Sequence, residues 1–390
     1  MSQVLKEGVY VDHNASTPPD ESVVEAMLPW LRDFHANPHS VHKRGQLAAA
    51  AVEKARAQVA GLIGADVEDV FFTSGATESS NLILQGLLAR PKAALIASSI
   101  EHKCVLEIGH ALSANGTRFS KVPVDVFGRV SPAAIAESVA QHGANELVVV
   151  AVMHANNEIG TVQPITEISA SLEGRGVFFH VDASQSCSRI PVDVSALGAD
   201  TLCVSSHKLY GPAGIGAAYI SPYARAQLRP LMFGGGQQSG VRPGTIPVFL
   251  AVGFGAACEL AGRRLQDDTR MMNDCVDAFL GTLRQTDASF TRIGHLTEAL
   301  PGLVALRFPG CDSGDLLARL SKSVFASAGS ACSAGQIRAS HVARAIGLSE
   351  EDALEIVRFG FGRSNTIEDA VYVANAVVRA LKASQHNSGV

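Results

Sequence analysis

A lysine and a histidine follow an apolar run in the stretch SSHKLYGPAGIG, residues 205–216. The preceding residues TLCV predict a buried strand, so Lys208 lies where that strand ends and the chain turns into glycines. A lysine in this setting can lose its proton and form a covalent bond, and we expect cationic or polar neighbours to lower its pKa. Taken alone, Lys208 could also be one partner of an ion pair.

Further polar residues follow the other apolar runs of the same region. Ligands of open α/β sheets bind beyond the carboxyl ends of the strands, so these residues should meet at one edge. After DVFF comes TSGATESSN, where the start of a helix at Ala76 and the hydroxyl of Thr77 predict a phosphate site. The other strand ends supply His102, Asn157, Asp182 with Gln185, and Ser205 with His207. Singly, each group has a plainer alternative, such as a capped turn or a structural histidine.

Together these residues match the protein side of a pyridoxal 5'-phosphate (PLP) site. Such a site needs a lysine that forms a Schiff base, an aspartate for the pyridinium nitrogen and a cradle for the phosphate. We therefore predict Lys208 and Asp182 for the first two tasks, with His102 against the ring face. GPAGIG is interpreted as a tight turn, because it lacks the position and following acid of a dinucleotide-binding motif.

The elements that must position these residues alternate between short apolar runs and longer amphipathic ones, from about residue 48 to residue 220. This alternation predicts a mainly parallel sheet wound by helices on both faces. From residue 252 a long helical pattern is followed by LVALRF, SVFASAGSA and closing helices, which predicts a smaller α+β domain. We divide the chain into a large cofactor-binding domain, residues 14–255, and a small domain, residues 1–13 with 256–390.

Composition narrows the class of protein. The 390 residues are 47% hydrophobic and 18% charged with a formal net charge of -5, so nucleic acid and membrane are poor expectations as partners. No secretion signal and no apolar membrane span are expected. The seven cysteines form no C-x-x-C pair, which predicts free thiols, a cytoplasmic location and no metal site.

The sequence also resembles the NifS-like cysteine desulfurases, which are class V of the PLP-dependent enzymes with the aminotransferase fold, fold type I. The matching segments span nearly the whole chain in family order: VYVDHNASTP, ANPHSVHKRG, FFTSGATESSN, EHKCVLE, MHANNEIGTVQPI, HVDASQS, SSHKLYGPAGIGAAYI, GGGQQSGVRPGT and SAGSACSAG.

This resemblance implies a role for each candidate residue. Lys208 would hold the cofactor covalently, Asp182 would pair with the ring nitrogen, and His102 would stack on the ring and serve in acid–base steps. Gln185 and Asn157 would bind near the ring hydroxyl. Arg358 would bind the substrate carboxylate, for which a helix–strand ion pair is the alternative. The phosphate would be held by Ala76, Thr77, Ser205, His207 and, from the neighbouring subunit of a homodimer, Thr245.

Cys332 lies in ASAGSACSAG, a run of small residues that predicts a mobile loop or, alternatively, a packing turn. By the resemblance, its thiolate takes the sulfur of L-cysteine, leaving L-alanine and a persulfide that passes to an acceptor protein. The small residues on both sides of Cys332 resemble the long-loop group of the family.

Two features depart from the family pattern. Ser80 replaces the acid of the usual ATESDN, and the C-terminus lacks the hydrophobic, tryptophan-bearing tail with which some members bind an iron–sulfur scaffold. The acceptor therefore stays open between an iron–sulfur scaffold, a tRNA-thiolation relay and a DNA-sulfur-modification system. Selenocysteine lyase and cystine C–S lyase remain as alternative reactions on the same site. An alternative of a different class is a catalytically silent member that acts as a sulfur-carrier platform or regulatory partner.

Overall fold

The computed structural model describes residues 8–143, 145–329, 332–333, 336–337 and 339–387, and of residues 332–333, 336–337 and 384–387 it describes the backbone alone. The strands within this part of the chain are β1 (Val9–Tyr10), β2 (Val70–Thr73), β3 (Ala93–Ser98), β4 (Arg118–Val122), β5 (Leu147–Met153), β6 (Phe178–Asp182), β7 (Thr201–Ser205), β8 (Gly216–Ile220), β9 (Thr291–Ile293), β10 (Leu303–Arg307), β11 (Val324–Phe325), β12 (Ser327–Ala328), β13 (Cys332–Ser333), β14 (Gln336–Ile337) and β15 (Ile356–Gly360).

The α-helices that the structure describes alternate with these strands along the chain. They are α1 (Glu21–Arg32), α2 (Lys43–Ile63), α3 (Ala76–Leu88), α4 (Lys103–Ser113), α5 (Pro132–Ala140), α6 (Ile165–Leu172), α7 (Pro222–Gln227), α8 (Val248–Arg284), α9 (Ser313–Leu320), α10 (His341–Ala345), α11 (Glu350–Leu354) and α12 (Ile367–Asn387). None of them is both long enough and apolar enough to cross a membrane.

The larger sheet has the strand order β2-β8-β7-β6-β5-β3-β4. Strand β8 runs antiparallel to both of its neighbours, and the remaining pairs are parallel. Alternating residues of β5 pack into different hydrophobic clusters: Val150 and Val152 face one, and Val149 and Ala151 face the other. Both faces are thus buried, which explains the uninterrupted apolar runs and confirms the predicted mainly parallel, doubly wound sheet.

One strand of this sheet has no counterpart in the sequence prediction. Strand β4 lies at the sheet edge and carries Arg118, Ser120 and Lys121. An edge strand is buried on fewer sides, so it tolerates polar residues and lacks the apolar run that marks the central strands.

A second, antiparallel sheet follows in the C-terminal part, with the order β12-β15-β10-β9. It has a hydrophobic cluster of its own that includes Phe279, Phe308, Phe359 and Phe361. Helix α8 connects the two regions, because its first half packs in the cluster of the large sheet and its second half in this one. The predicted domain boundary at residue 255 falls inside α8, and the division into domains stays a prediction.

Candidate active site

The parallel strands of the larger sheet end at one edge, and a cavity of about 390 Å³ lies there. Its wall includes most of the residues that the sequence analysis selected: Ala76, Thr77, His102, Asn157, Asp182, Gln185, Ser205, His207 and Lys208. Thr245 and Arg358 are not part of this wall. The side chain of Cys332 lies outside the described residues.

Lys208 lies in a short 3₁₀ turn, Ser206–Lys208, directly after β7. Its Nζ donates hydrogen bonds to the carbonyl oxygens of Asn14 (2.7 Å) and Ala15 (2.8 Å). Burial lowers its pKa to about 8, and the positive charge of Arg358 acts in the same direction. The expected lowering of the pKa is therefore present, with burial as its first cause and the cationic neighbour as the second.

This pKa leads to a prediction for cofactor binding. A free amine is needed to attack an aldehyde, so the rate of PLP binding to the apoenzyme should rise with pH and level off above about pH 8. An ordinary lysine would continue to gain reactivity up to its usual pKa of about 10.4. Stopped-flow absorbance across this pH range checks the prediction. A rate that still increases through the upper end of the range would contradict it.

Asp182 is the last residue of β6 and is buried beneath the cavity. Its Oδ1 accepts a hydrogen bond from the backbone N–H of Ser184 (2.9 Å), which fixes the carboxylate at the start of the following turn. A buried carboxylate is costly to keep ionised unless a positive charge pairs with it. A protonated pyridine nitrogen in the cavity would supply that charge.

The start of α3, for which we predict a phosphate cradle, offers backbone groups to the cavity. The first N–H groups of a helix have no acceptor within the helix, and Ala76 and Thr77 place theirs at the cavity wall. The close approach of β8 to this loop requires glycine, because a Cβ at Gly216 would lie 2.6 Å from the Cα of Gly75. This contact supports the interpretation of GPAGIG as a tight turn into a strand.

Two ionisable side chains beside the cradle add no net charge to it, because one is ion-paired and the other is neutral. Glu78 lines the cavity, and Arg242 pairs with its carboxylate at 2.7 Å. Burial lowers the pKa of His207 to about 4, with Lys208 acting in the same direction, so its ring is neutral near pH 7. Its Nδ1 lies 3.2 Å from Ser16 Oγ.

His102 is the N-cap residue of α4, and its Nδ1 accepts the backbone N–H of Cys104 at 3.2 Å. Burial lowers the pKa of the ring, Asp182 opposes this effect, and Lys208 adds to it. The neutral ring therefore carries its proton on Nε2. That nitrogen is the one able to exchange a proton with a bound molecule.

Two adjacent asparagines in the loop after β5, Asn156 and Asn157, have different roles. Asn156 is fully buried, and its Oδ1 accepts the N–H groups of Glu158 (2.9 Å) and Ile159 (3.0 Å). Asn156 therefore holds this turn in place. The side chain of Asn157 is left to line the cavity.

Asn14 is a site residue that the sequence analysis did not select. Its Nδ2 donates to Gln185 Oε1 (2.9 Å), and its carbonyl oxygen accepts from Gln185 Nε2 (2.9 Å) and from Lys208. This pairing holds Gln185 at the cavity wall. The segment VDHNAS contains the residue, but nothing in its local pattern indicates a partner 171 positions away.

Arg358 is buried on β15 and reaches the loop after β5. Its Nη1 donates to the carbonyl oxygen of Asn157 (2.9 Å), and its Nη2 donates to Asp12 Oδ1 (2.6 Å). Arg358 thus forms an ion pair, but its partner Asp12 does not lie on a helix, so the contact differs from the helix–strand pair considered as the alternative. The buried Nε has no hydrogen-bond acceptor among the described residues, so this arginine keeps a free donor.

Comparisons with known proteins agree with this geometry. The family model "Aminotransferase class-V" matches residues 9–373. A mitochondrial cysteine desulfurase of Drosophila melanogaster is 40% identical over 375 residues, which are 95% of this chain and 80% of that protein. A solved structure of a NifS-like protein shares 32% sequence identity with a TM-score of 0.88 and covers 96% of this chain and 99% of its own. The structure of SspA in complex with cysteine has 34% identity and a TM-score of 0.79, covering 90% and 98% of the two chains.

The observed residues fit the cofactor of this family. One cavity is lined by a half-buried lysine with a lowered pKa, by an aspartate that has no ion pair among the described residues, and by the first residues of helix α3. The predictions of the fold type, of PLP and of the family are thereby confirmed. The chain belongs to the class-V aminotransferase family and, within it, to the PLP-dependent cysteine desulfurases.

Proposed function

We propose that this enzyme converts L-cysteine to L-alanine and transfers the sulfur, as a persulfide on Cys332, to an acceptor protein. The observation that carries the proposal is the meeting of Lys208, Asp182 and His102 at one cavity, with Arg358 beside it. The solved structure of SspA with bound cysteine supports the choice of substrate.

Arg358 binds the substrate carboxylate in this proposal. Its Nε is a buried donor without an acceptor among the described residues, and a carboxylate oxygen would satisfy it. The ion pair with Asp12 orients the guanidinium before the substrate arrives. Asn157 also contacts the bound amino acid in this proposal, since it lines the cavity and its backbone oxygen accepts a hydrogen bond from Arg358.

When bound, PLP withdraws electrons from the substrate Cα. Lys208 Nζ takes the Cα proton and returns it at a neighbouring atom, which its pKa of about 8 allows near neutral pH. His102 Nε2 exchanges the proton of the substrate thiol or amine. Asp182 keeps a positive charge opposite its carboxylate, and the N-terminus of α3 with Ser205 and His207 holds the phosphate in place.

Cys332 receives the sulfur. Its thiolate attacks the substrate sulfur, a sulfur–sulfur bond forms, and the Cβ–S bond breaks. The electron pair of the broken bond stays on the three-carbon fragment, which takes up protons and leaves as alanine. One L-cysteine and one thiol thus give one alanine and one persulfide, so the step needs no external oxidant or reductant.

A homodimer would complete the phosphate site through Thr245. This residue is exposed and lies away from the cavity of its own chain. Phe233 is 90% exposed, and its sequence neighbours Leu231 and Met232 are also exposed. Such an apolar patch is typical of a surface that a partner covers. Light scattering of the purified holoenzyme tests this proposal, and the mass of a single chain would contradict it.

The acceptor is a protein that approaches Cys332, as expected for the long-loop group. An iron–sulfur scaffold, a tRNA-thiolation relay protein and a DNA-sulfur-modification protein share the chemistry of accepting a persulfide sulfur. We place the enzyme in the cytoplasm. The six cysteines whose side chains the structure describes are all free thiols, as expected in a reducing compartment.

The first turnover tests the function. Holoenzyme mixed with L-cysteine, without added reductant, should give alanine and protein-bound persulfide in equal amounts. Mass spectrometry of the digested protein should find the added sulfur atom on the peptide that contains Cys332. Alanine without persulfide, or persulfide on another cysteine, would contradict the proposal.

A further inference from the structure

The segment that carries Cys332 is attached at both of its ends to carboxylates near Arg358. We call residues 328–339 the cysteine segment. Immediately before it, Ser327 Oγ donates a hydrogen bond to Asp12 Oδ2 at 2.6 Å. Immediately after it, Ser340 Oγ donates to Glu158 Oε2.

Asp12 pairs with Arg358 directly, and Glu158 is connected to it through the backbone of the neighbouring residue Asn157. The other oxygen of Asp12 accepts from Arg358 Nη2 at 2.6 Å, and Ser327 lies directly opposite Arg358 in the β12–β15 pairing. Glu158 follows Asn157, whose carbonyl oxygen accepts from Arg358 Nη1 at 2.9 Å. Burial raises the pKa of Glu158 to about 7, against the opposing effects of the Ser340 hydroxyl and the positive charge of Arg358.

These contacts are sheltered from solvent. Arg358 and Ser340 are buried, and the side chain of Asp12 keeps only 15% of its exposure. Hydrogen bonds between hydroxyl groups and carboxylates are stronger than neutral ones, and burial makes them costly to break. The ends of the cysteine segment are thus held in a defined position relative to one arginine.

We propose that Asp12 and Glu158 are positioning residues for sulfur transfer. They hold the two ends of the cysteine segment at fixed positions relative to Arg358, the arginine that binds the substrate. This rests on the proposed function, in which Arg358 binds the substrate carboxylate and Cys332 is the nucleophile. The substrate carboxylate and the segment that carries the Cys332 nucleophile are then both positioned by the guanidinium of Arg358. A displacement of about 1 Å between reacting groups can slow a reaction about 100-fold, so loss of either anchor should slow transfer.

The experiment separates substrate binding from sulfur transfer in the holoenzyme. The variants are Ser327→Ala, which leaves the Asp12–Arg358 pair intact, and Glu158→Ala, which leaves Ser340 free to cap α10. The absorbance change of the cofactor on mixing with L-cysteine gives the Kd, and quenched single turnovers give the rate of alanine formation. We expect Kd to stay within about threefold and alanine formation to slow by about 10- to 100-fold.

Two kinds of control accompany these variants. Ser327→Thr and Glu158→Gln retain the hydroxyl and an acceptor oxygen, and each should recover most of the rate. Ser323→Ala and Glu355→Gln remove a hydroxyl and a carboxylate whose hydrogen bonds lie outside this network, and both should behave as wild type.

The outcomes are distinguishable. Alanine formation at the wild-type rate in both anchor variants would overturn this proposal alone. An equal loss of binding and transfer, without recovery in the conservative variants, would show a general structural role and would also overturn it. If the Cys332→Ala variant forms alanine at the wild-type rate, the proposed function itself fails.

Discussion

A Cys332→Ala variant is expected to bind L-cysteine with the same change in cofactor absorbance as wild type, yet to form alanine at least about 10³-fold more slowly. The variant lacks the thiolate that accepts the substrate sulfur, so the Cβ–S bond has no nucleophile to break it. Quenched single turnovers without added thiols measure the rate, because a thiol in solution could replace the missing side chain.

Cys104 offers a matched control for this prediction. Cys104 lines the cavity, and burial and the negative charge of Asp182 raise the pKa of its thiol to about 12. The thiolate form is therefore rare at neutral pH, and a thiol is a poor nucleophile. Cys104→Ser should keep persulfide formation. If Cys104→Ser lost persulfide formation while Cys332→Ala kept full activity, Cys104 would be the sulfur acceptor and our assignment of Cys332 would be wrong.

A Lys208→Ala variant should lose both the covalent attachment of PLP and activity, with alanine formation reduced by at least about 10³-fold. No other group in the proposal forms the bond to the cofactor or moves the Cα proton. Borohydride treatment followed by peptide mass spectrometry should give a cofactor adduct on the Lys208 peptide of wild type and none in the variant.

Lys208→Arg is the matched variant for this test, since it keeps a positive charge at the same position but cannot form the covalent bond. It should be as inactive as Lys208→Ala. A borohydride adduct on a different lysine, or substantial activity in either variant, would contradict the assignment of Lys208.

Local patterns were sufficient to predict the cofactor and the strands that present its ligands. The apolar runs before Asp182 and Lys208 mark buried strands, and the abrupt change to polar residues marks the strand ends. The same pattern did not predict strand β4, because this edge strand contains Arg118 and Lys121 and therefore lacks an apolar run. The identity of the reaction came from the resemblance, since periodicity and spacing do not distinguish a desulfurase from other PLP enzymes.

Sequence alone determined which chemical groups this protein has and that Lys208, Asp182, His102 and the α3 N-terminus meet at one sheet edge, because strand alternation and strand ends are local properties of the chain. Tertiary structure decided how these groups are held and tuned. The pairing of Asn14 with Gln185 joins residues 171 positions apart, and that of Asp12 with Arg358 joins residues 346 positions apart. Such contacts, and the burial that lowers the pKa of Lys208, arise when the two sheets and α8 pack together, and no local pattern records them.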